Sequence, residues 1–213
     1  MPQNSSFRTI LVYGAIVIAV IAVFWIGWSI FHRQTVRNSD SKGTTIVAFG
    51  DSLIQGVGAT TGNDFVTKLS EKIGQPIVNL GVSGNTTADA LARIDTVLEQ
   101  NPRIVIILLG GNDYLRRIPP DTTFANLALI VDAIHEKGSA VVLLGVRGGL
   151  IRDTYHARFK EFAKVHQTAF VPNVLDGLIG DKTLMSDAIH PNDTGYARIV
   201  DKIYPVLKDL MTK

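Results

Sequence analysis

Short apolar runs and amphipathic stretches alternate along the chain after residue 43. Apolar runs over residues 44–49, 77–80, 104–109, 140–144 and 168–171 predict five short strands. Between and after them, apolar residues recur at helical spacing over about 64–73, 87–99, 122–137, 153–166 and 192–210. The run over 104–109 contains no polar side chain, which is typical of a parallel strand covered on both faces. The alternation predicts an α/β fold with a doubly wound parallel sheet and right-handed crossovers.

A different pattern precedes this domain. No residue from 10 to 31 is charged, and about 22 residues at 1.5 Å each give roughly 33 Å, enough to cross a hydrocarbon core of about 30 Å. Tyr13 lies near one end, and Trp25 and Trp28 lie near the other, as in interfacial aromatic belts. A cleavable signal peptide usually has an apolar core of about 7 to 15 residues and then a small-x-small site, which is missing here. We therefore predict an N-terminal tail over 1–9 and an uncleaved transmembrane signal anchor over 10–31.

Composition and charge define the rest of the organisation. Residues 32–43 are small, polar and charged and are predicted to be a linker, and residues 44–213 are enough for one domain with a sizeable core. Positive-inside counting slightly favours a cytoplasmic domain, but a single anchor before a complete domain is typical of an exported, tethered protein, so we expect an extracytoplasmic domain. The chain has no cysteine, which excludes disulfides, and no basic stripe with aromatics that would indicate a nucleic-acid partner.

Small and polar residues follow several of the predicted strands. Ser52 comes directly after the first, Gly81 after the second and Asn112 after the third, while Asp187 and His190 come after the last. Because the carboxyl ends of parallel strands meet at one edge of the sheet, we expect these residues to converge. Acyl transfer through a serine needs a base, a carboxylate that orients the base, and donors for the developing oxyanion. Ser52 is the candidate nucleophile, and the N–H groups of Ser52 and Gly81 with the Asn112 amide are candidate oxyanion donors.

Four of these segments resemble the four sequence blocks of the SGNH, or GDSL, hydrolase family, particularly its bacterial lysophospholipase, arylesterase and acyl-CoA thioesterase I branch. They are Gly50-Asp51-Ser52-Leu53, the glycine in Asn79-Leu80-Gly81-Val82-Ser83-Gly84, Gly110-Gly111-Asn112-Asp113 and Asp187-Ala188-Ile189-His190-Pro191. The resemblance implies that Ser52 is the nucleophile, His190 the base and Asp187 its orienting carboxylate, with Ser52, Gly81 and Asn112 forming the oxyanion hole. It also implies a three-layer, flavodoxin-like α/β/α fold and no metal or organic cofactor.

Other residues could imitate this site. Asp153 and His156 repeat the spacing of Asp187 and His190, but Asp153 stands where a helix N-cap belongs, so we favour the later pair. Ser83 misses the Gly-x-Ser-x-Gly elbow by one residue. Asp51 is expected to bond neighbouring loop amides. His135 and His166, near predicted helix ends, are expected at the surface.

The glycine-rich stretch over 56–62 lacks both the dinucleotide-binding spacing and a Walker lysine, which argues against nucleotide binding. The sequence therefore predicts a membrane-tethered serine esterase that acts on small-molecule carboxylic esters or thioesters, including lipid esters. An O-acetyl esterase of cell-envelope carbohydrate is an alternative within the same chemistry. A tethered, non-catalytic binding module is an alternative of another class.

Overall fold

The computed structural model describes residues 13–14, 17–18, 20, 35–146 and 154–213. It divides the chain into two compact units, residues 1–35 and 36–213. Within the described part of the chain, no helix combines the length and the apolar character needed to cross a bilayer. The anchor predicted over 10–31 lies almost wholly outside the described residues, as does the segment over 147–153.

The unit over 36–213 is built on a five-stranded parallel sheet with strand order β2-β1-β3-β4-β5. This order confirms the predicted parallel α/β fold, and it is the order of flavodoxin-like, doubly wound sheets. The strands are β1 (Thr45–Gly50), β2 (Ile77–Gly81), β3 (Pro102–Leu108), β4 (Ala140–Leu144) and β5 (Ala169–Val171). The described helices are α1 (Ser52–Gln55), α2 (Phe65–Ile73), α3 (Thr87–Leu91), α4 (Asp95–Leu98), α5 (Gly111–Leu115), α6 (Pro120–Glu136), α7 (Thr154–Val165) and α8 (Asp193–Met211).

The core lies on both faces of the three central strands. Every residue of β4 is buried, and β1 and β3 are buried almost throughout, which explains their continuous apolar sequences. Helices α2 and α8 pack against each other, as do α3 and α6. Right-handed crossovers place these two pairs on opposite faces, because the chain moves outward from β1 to β2 and then back across the sheet.

The helix predicted over residues 87–99 is interrupted in the structure. It forms two short helices, α3 and α4, separated by a turn at residues 92–94. Arg93 occupies this turn, and its guanidinium points inward to the carbonyl oxygens of Gly50 and Leu80. A long polar side chain directed toward the sheet is incompatible with the simple apolar face that the sequence pattern suggested.

Residues 36–41, which fall in the predicted linker, belong to the folded unit. Val36 packs against the hydrophobic core, and the Arg37 N–H donates to the carbonyl of Gln167 at 2.9 Å. The Asn38 amide donates to the carbonyl oxygens of His135 and Ser139 at 2.8 and 3.1 Å. These contacts close the amino-terminal edge of the sheet, opposite to the edge where the candidate site is expected.

His135 is buried beneath this segment rather than exposed, contrary to the sequence-based expectation. Its side chain is 3% exposed, and among the described residues neither ring nitrogen has a hydrogen-bond partner. Burial lowers the pKa of His135 to about 4, and the nearby Arg37 charge acts in the same direction, while Asp132 opposes them. The helix-end position suggested a solvated histidine because the sequence does not show that residues 36–41 cover it.

This histidine should make the fold sensitive to acid. A pKa of about 4 in the folded state, against about 6.5 when unfolded, means that the unfolded chain binds more protons between these values. Protonation of His135 therefore does not reduce the free energy of unfolding above about pH 6.5, and it reduces this free energy progressively as the pH falls toward 4. We expect His135→Leu to raise the free energy of urea unfolding relative to wild type by about 2 kcal/mol more at pH 5 than at pH 8. An unchanged difference between the two proteins at both pH values would contradict this role.

Candidate active site

Ser52 is the first residue of α1, directly at the carboxyl end of β1. The side chain of Asp51 caps this helix by accepting a hydrogen bond from the Leu53 N–H at 3.0 Å. As the first N–H of a helix, the backbone N–H of Ser52 has no acceptor within the helix. The connection after β1 leads to β2 on one side, whereas the connection after β3 leads to β4 on the other. Ser52, at the end of β1, therefore lies at the topological switch point between β1 and β3, where α/β folds bind ligands.

His190 and Asp187 lie beside Ser52, as the sequence predicted. His190 Nε2 is 3.0 Å from Ser52 Oγ, and His190 Nδ1 is 2.7 Å from Asp187 Oδ2. An ionised carboxylate only accepts hydrogen bonds, so Nδ1–H donates to Asp187 and leaves Nε2 to accept from the serine hydroxyl. The three side chains therefore form a continuous hydrogen-bonded chain in the orientation needed to remove a proton from Ser52.

The turn over residues 187–190 holds the carboxylate in place. Asp187 Oδ1 accepts hydrogen bonds from the N–H groups of Ile189 and His190 at 2.8 and 2.7 Å. The hydrogen bonds from the His190 side chain and from these two amides lower the pKa of Asp187 to about 2. Asp187 is therefore ionised at every pH at which a histidine can act as a base.

The glycine-rich stretch after α1 supports this turn rather than a phosphate group. Gly58 has a φ of +95°, and a Cβ at this position would lie 3.1 Å from His190 Cβ and 2.5 Å from the Pro191 carbonyl oxygen. Tyr196, in the first turn of α8, donates its hydroxyl to the Val57 carbonyl at 2.7 Å. Only a residue without a side chain allows the histidine turn to pack so closely on this loop.

Asp51 acts locally, as expected. It is 4% exposed, and burial raises its pKa to about 6. Its Oδ1 accepts from Leu53 N–H, and its Oδ2 lies 3.5 Å from Asn112 Nδ2. This carboxylate therefore caps α1 and borders the amide of Asn112, and it makes no hydrogen bond to His190.

The predicted role of Gly81 as an oxyanion donor does not fit its geometry. The Gly81 N–H donates to Asn79 Oδ1 at 2.9 Å, so this donor already has an acceptor. A Cβ on Gly81 would lie 2.2 Å from the backbone nitrogen of Gln55. Gly81 is therefore explained by the close approach of β2 to α1.

The backbone N–H of Gly84, unlike that of Gly81, is free to donate a hydrogen bond among the described residues. Gly84 has a φ of +80°, and no acceptor for its N–H lies among the described residues. The next residue, Asn85, accepts a hydrogen bond from Asn112 Nδ2 at 3.0 Å, which places this turn beside the Asn112 amide. Gly81 was predicted for this role because it follows the apolar run over 77–80, whereas a glycine followed by asparagine in a turn, as at Gly84-Asn85, indicates the backbone conformation found here.

An apolar cavity of about 300 Å³ opens directly over Ser52, Asn112 and His190. Several of its apolar walls are exposed at the mouth, including Tyr114 and Leu115 on α5 and Ile179 and Ile189 in loops. A cavity with few polar groups next to a serine hydroxyl is suited to hold an apolar part of a ligand. Its apolar lining consists mainly of Leu53, Tyr114, Leu115, Val146, Tyr155, Leu175, Ile179 and Ile189.

Neither Ser83 nor His156, the alternative candidates in the sequence, contacts Ser52, His190 or Asp187 through a hydrogen bond in the described part of the chain. Ser83 is exposed, and its N–H donates to Gln55 Oε1 at 2.7 Å. His156 lines a separate cavity together with Lys202, and Asp153 lies outside the described residues. Of the two Asp-x-x-His pairs, only the one over 187–190 contacts Ser52 in the described part of the structure.

Comparison with known proteins gives a consistent family. The profile of the GDSL-like lipase/acylhydrolase family matches residues 48–198. The chain is 33% identical to the esterase TesA of Pseudomonas aeruginosa strain PAO1 over 182 residues, which cover 78% of this chain and 89% of that protein. It is 27% identical to thioesterase 1/protease 1/lysophospholipase L1 of Escherichia coli K12, over 78% of this chain and 85% of that protein.

A solved structure shows the same fold. The psychrotrophic esterase EstA from Pseudoalteromonas sp., in a form inhibited by monoethylphosphonate, superimposes with a TM-score of 0.72 at 25% identity. The match covers 79% of this chain and 99% of that chain. With its parallel sheet and with a family match that includes both Ser52 and His190, the chain belongs to the GDSL-like lipase/acylhydrolase family and is a serine ester hydrolase.

Proposed function

We propose that this protein hydrolyses carboxylic esters or thioesters of apolar acyl groups, with Ser52, His190 and Asp187 as its catalytic triad. The observation that carries the proposal is the hydrogen-bonded chain from Asp187 through His190 to Ser52, at the base of an apolar cavity of about 300 Å³. The esterase and thioesterase names of its relatives support this reaction class.

The geometry supports a two-step reaction. Ser52 Oγ attacks the carbonyl carbon while its proton passes to His190 Nε2, and the ionised Asp187 stabilises the imidazolium that forms. His190 then gives this proton to the departing alcohol or thiol, which leaves an acyl group on Ser52. Water repeats the sequence, with His190 again as the base, and releases the carboxylic acid.

Three donors are placed to stabilise the tetrahedral oxyanion. They are the N–H of Ser52, which has no acceptor within α1, the N–H of Gly84, and the Asn112 amide N–H that has only a 3.5 Å contact with Asp51, since the other donates to the Asn85 carbonyl. This set replaces the Gly81 N–H of the sequence analysis with that of Gly84, because the Gly81 N–H is bonded to Asn79. Each donor of this kind is typically worth about 10²- to 10³-fold in rate.

The cavity favours an acyl chain longer than acetyl. Its volume corresponds to about ten water molecules at the density of the liquid, which is far more than an acetyl methyl group fills. Filling it with apolar carbon removes apolar surface of both chain and protein from water. This property favours a lipid-type ester or acyl thioester over the O-acetyl sugar ester that the sequence leaves as an alternative.

We also propose that residues 10–31 anchor the enzyme in a membrane as a single-pass helix, with the catalytic domain on the extracytoplasmic side. The support is the uncharged run of about 22 residues before the domain, which has aromatic residues near both of its ends. Tethering would hold the catalytic domain near lipid or envelope substrates.

The chain-length preference provides the test. With p-nitrophenyl esters from acetyl to palmitoyl, we expect kcat/KM of the full chain to rise from acetyl toward medium or long chains. Val146→Phe, which fills the buried wall of the cavity, should lower kcat/KM for octanoyl esters at least about 10-fold and leave the acetyl ester nearly unchanged. Val165→Phe, at an exposed position on α7, is the matched control.

Each contrary result has a distinct meaning. Turnover confined to the acetyl ester would favour the sugar O-acetyl esterase. A folded chain with no turnover on any ester would favour the tethered binding module.

A further inference from the structure

Arg93 binds three separate parts of the chain near Ser52. Its Nη2 donates to the Gly50 carbonyl at 2.9 Å, its Nη1 donates to the Leu80 carbonyl at 3.0 Å, and its Nε donates to Asn85 Oδ1 at 2.7 Å. The side chain comes from the turn between α3 and α4, where it interrupts an otherwise amphipathic helix pattern. All three acceptors lie at or beside the carboxyl ends of β1 and β2.

The guanidinium of Arg93 is surrounded by carbonyl groups and an aromatic ring rather than by carboxylates. It lies over the buried ring of Phe49, 4.4 Å from the ring centroid, and is itself half-buried. No carboxylate in the described part of the chain forms an ion pair with it, and burial lowers its pKa. A partly buried cation without a counter-ion is costly, so its favourable interactions must come from oriented carbonyl dipoles and the aromatic face.

Two of the three acceptors, Gly50 and Asn85, lie close in the sequence to a proposed oxyanion donor, and the third, Leu80, pairs with Phe49 in the adjoining strand. Gly50 lies two residues before Ser52, whose helix N–H is the first donor. Asn85 directly follows Gly84, whose N–H is the second. The carbonyl of Asn85 accepts from Asn112 Nδ2 at 3.0 Å, so the third donor is oriented by the same residue that Arg93 holds.

We propose that Arg93 is a positioning residue for the oxyanion hole, fixing the separation of its three donors by binding the ends of β1 and β2 and the turn at Asn85. Its positive charge, which is bonded to the segments that carry the Ser52 and Gly84 N–H groups, also favours negative charge at the oxyanion. This inference rests on the proposed serine ester hydrolysis. Donors held in advance contribute more in the transition state than in the ground state, because charge develops on the carbonyl oxygen only there.

The expected signature is a loss in kcat without a matching change in KM. For a p-nitrophenyl ester that wild type hydrolyses, we expect Arg93→Met to lower kcat about 10- to 100-fold while KM changes less than about threefold, since a small misplacement of donors has this order of effect. Arg93→Lys keeps the charge but loses the planar fork and should fall between Arg93→Met and wild type. The rate of inactivation by an alkyl fluorophosphonate, which forms a tetrahedral adduct, should fall by the same factor as kcat.

Arg103→Met is the matched control. Arg103 is also half-buried and donates to one carbonyl, that of Met211 at 3.1 Å, but it lies at the opposite end of the sheet. We expect it to lose some thermal stability and to keep wild-type kcat. If Arg93→Met unfolds, Arg93→Lys and Asn85→Ala supply the same comparison in milder form.

Two further measurements separate positioning from general destabilisation. In a double-mutant cycle, Asn85→Ala and Arg93→Lys should be strongly non-additive in kcat, because both act on the same turn. Added guanidinium ion should raise kcat of Arg93→Ala and leave Arg103→Ala unaffected. Full kcat in a folded Arg93→Met protein, or losses shared equally by the Arg103 variants, would overturn the inference.

The wild-type chain and Ser52→Ala are assayed alongside these variants. Turnover that depends on Ser52 but is indifferent to Arg93 removes only the positioning role. No Ser52-dependent turnover in wild type removes the proposed function itself.

Discussion

Replacing Ser52 by alanine is expected to lower kcat for p-nitrophenyl octanoate by about 10⁴- to 10⁶-fold, the loss typical of removing a serine nucleophile. The substitution deletes one oxygen whose described hydrogen bond is to His190 Nε2, so the fold and the cavity should remain. Initial rates at saturating substrate and a thermal unfolding curve of the full chain measure both quantities.

Ser83→Ala provides the matched control. Ser83 lies in the neighbouring glycine-containing turn, and alanine keeps the N–H that bonds Gln55 Oε1. We expect nearly full activity, and a fluorophosphonate adduct should form on Ser83→Ala but not on Ser52→Ala. Equal turnover by Ser52→Ala and wild type would refute the serine mechanism.

The second large effect is expected at Asp187. Asparagine preserves an acceptor for the two backbone amides of the turn but removes the charge that fixes the histidine tautomer and stabilises the imidazolium. We expect Asp187→Asn to lower kcat about 10³- to 10⁴-fold. The measurement is kcat from pH 5 to 9, together with far-ultraviolet circular dichroism as the check on folding.

Asp51→Asn distinguishes the two carboxylates near Ser52. Its side-chain oxygen can still accept from the Leu53 N–H and cap α1, so we expect less than about a 10-fold loss. If Asp51→Asn proves as damaging as Asp187→Asn, Asp51 has a part in the chemistry that its hydrogen bonds do not indicate.

The parallel sheet could be predicted from the sequence because its central strands are continuous apolar segments. Continuous apolar runs predicted the central strands β3 and β4 closely, since strands covered on both faces need apolar side chains throughout. The sequence missed α1 and α5, because helices of four or five residues are too short to show a repeat and contain or adjoin glycine. The inward direction of Arg93 was also not predictable from the sequence, because it depends on acceptors in β1 and β2.

In the candidate site, too, some residues could be predicted from sequence patterns and others depended on tertiary contacts. The convergence of parallel strand ends, together with the resemblance of four sequence blocks to the SGNH family, was sufficient to predict Ser52, His190 and Asp187. Choosing between Gly81 and Gly84 required knowing where each N–H points. That choice depends on the hydrogen bond from Gly81 to Asn79, which is a tertiary detail of the β2 end. The burial of His135 was also not predictable, because contacts at this position come from residues almost one hundred positions earlier, such as Asn38, which donates to the His135 carbonyl.

The contact between Ser52 and His190 joins residues 138 positions apart in the sequence. During synthesis Ser52 therefore emerges long before His190, so in the proposed mechanism its hydroxyl has no base until the C-terminal segment has docked. Tyr196, which bonds the Val57 carbonyl, makes this docking part of the same late step. Contacts between such distant segments form slowly because a long loop must close first. In the proposed mechanism, hydrolytic activity therefore requires synthesis to continue past His190, and a chain truncated before this residue would be unable to attack esters.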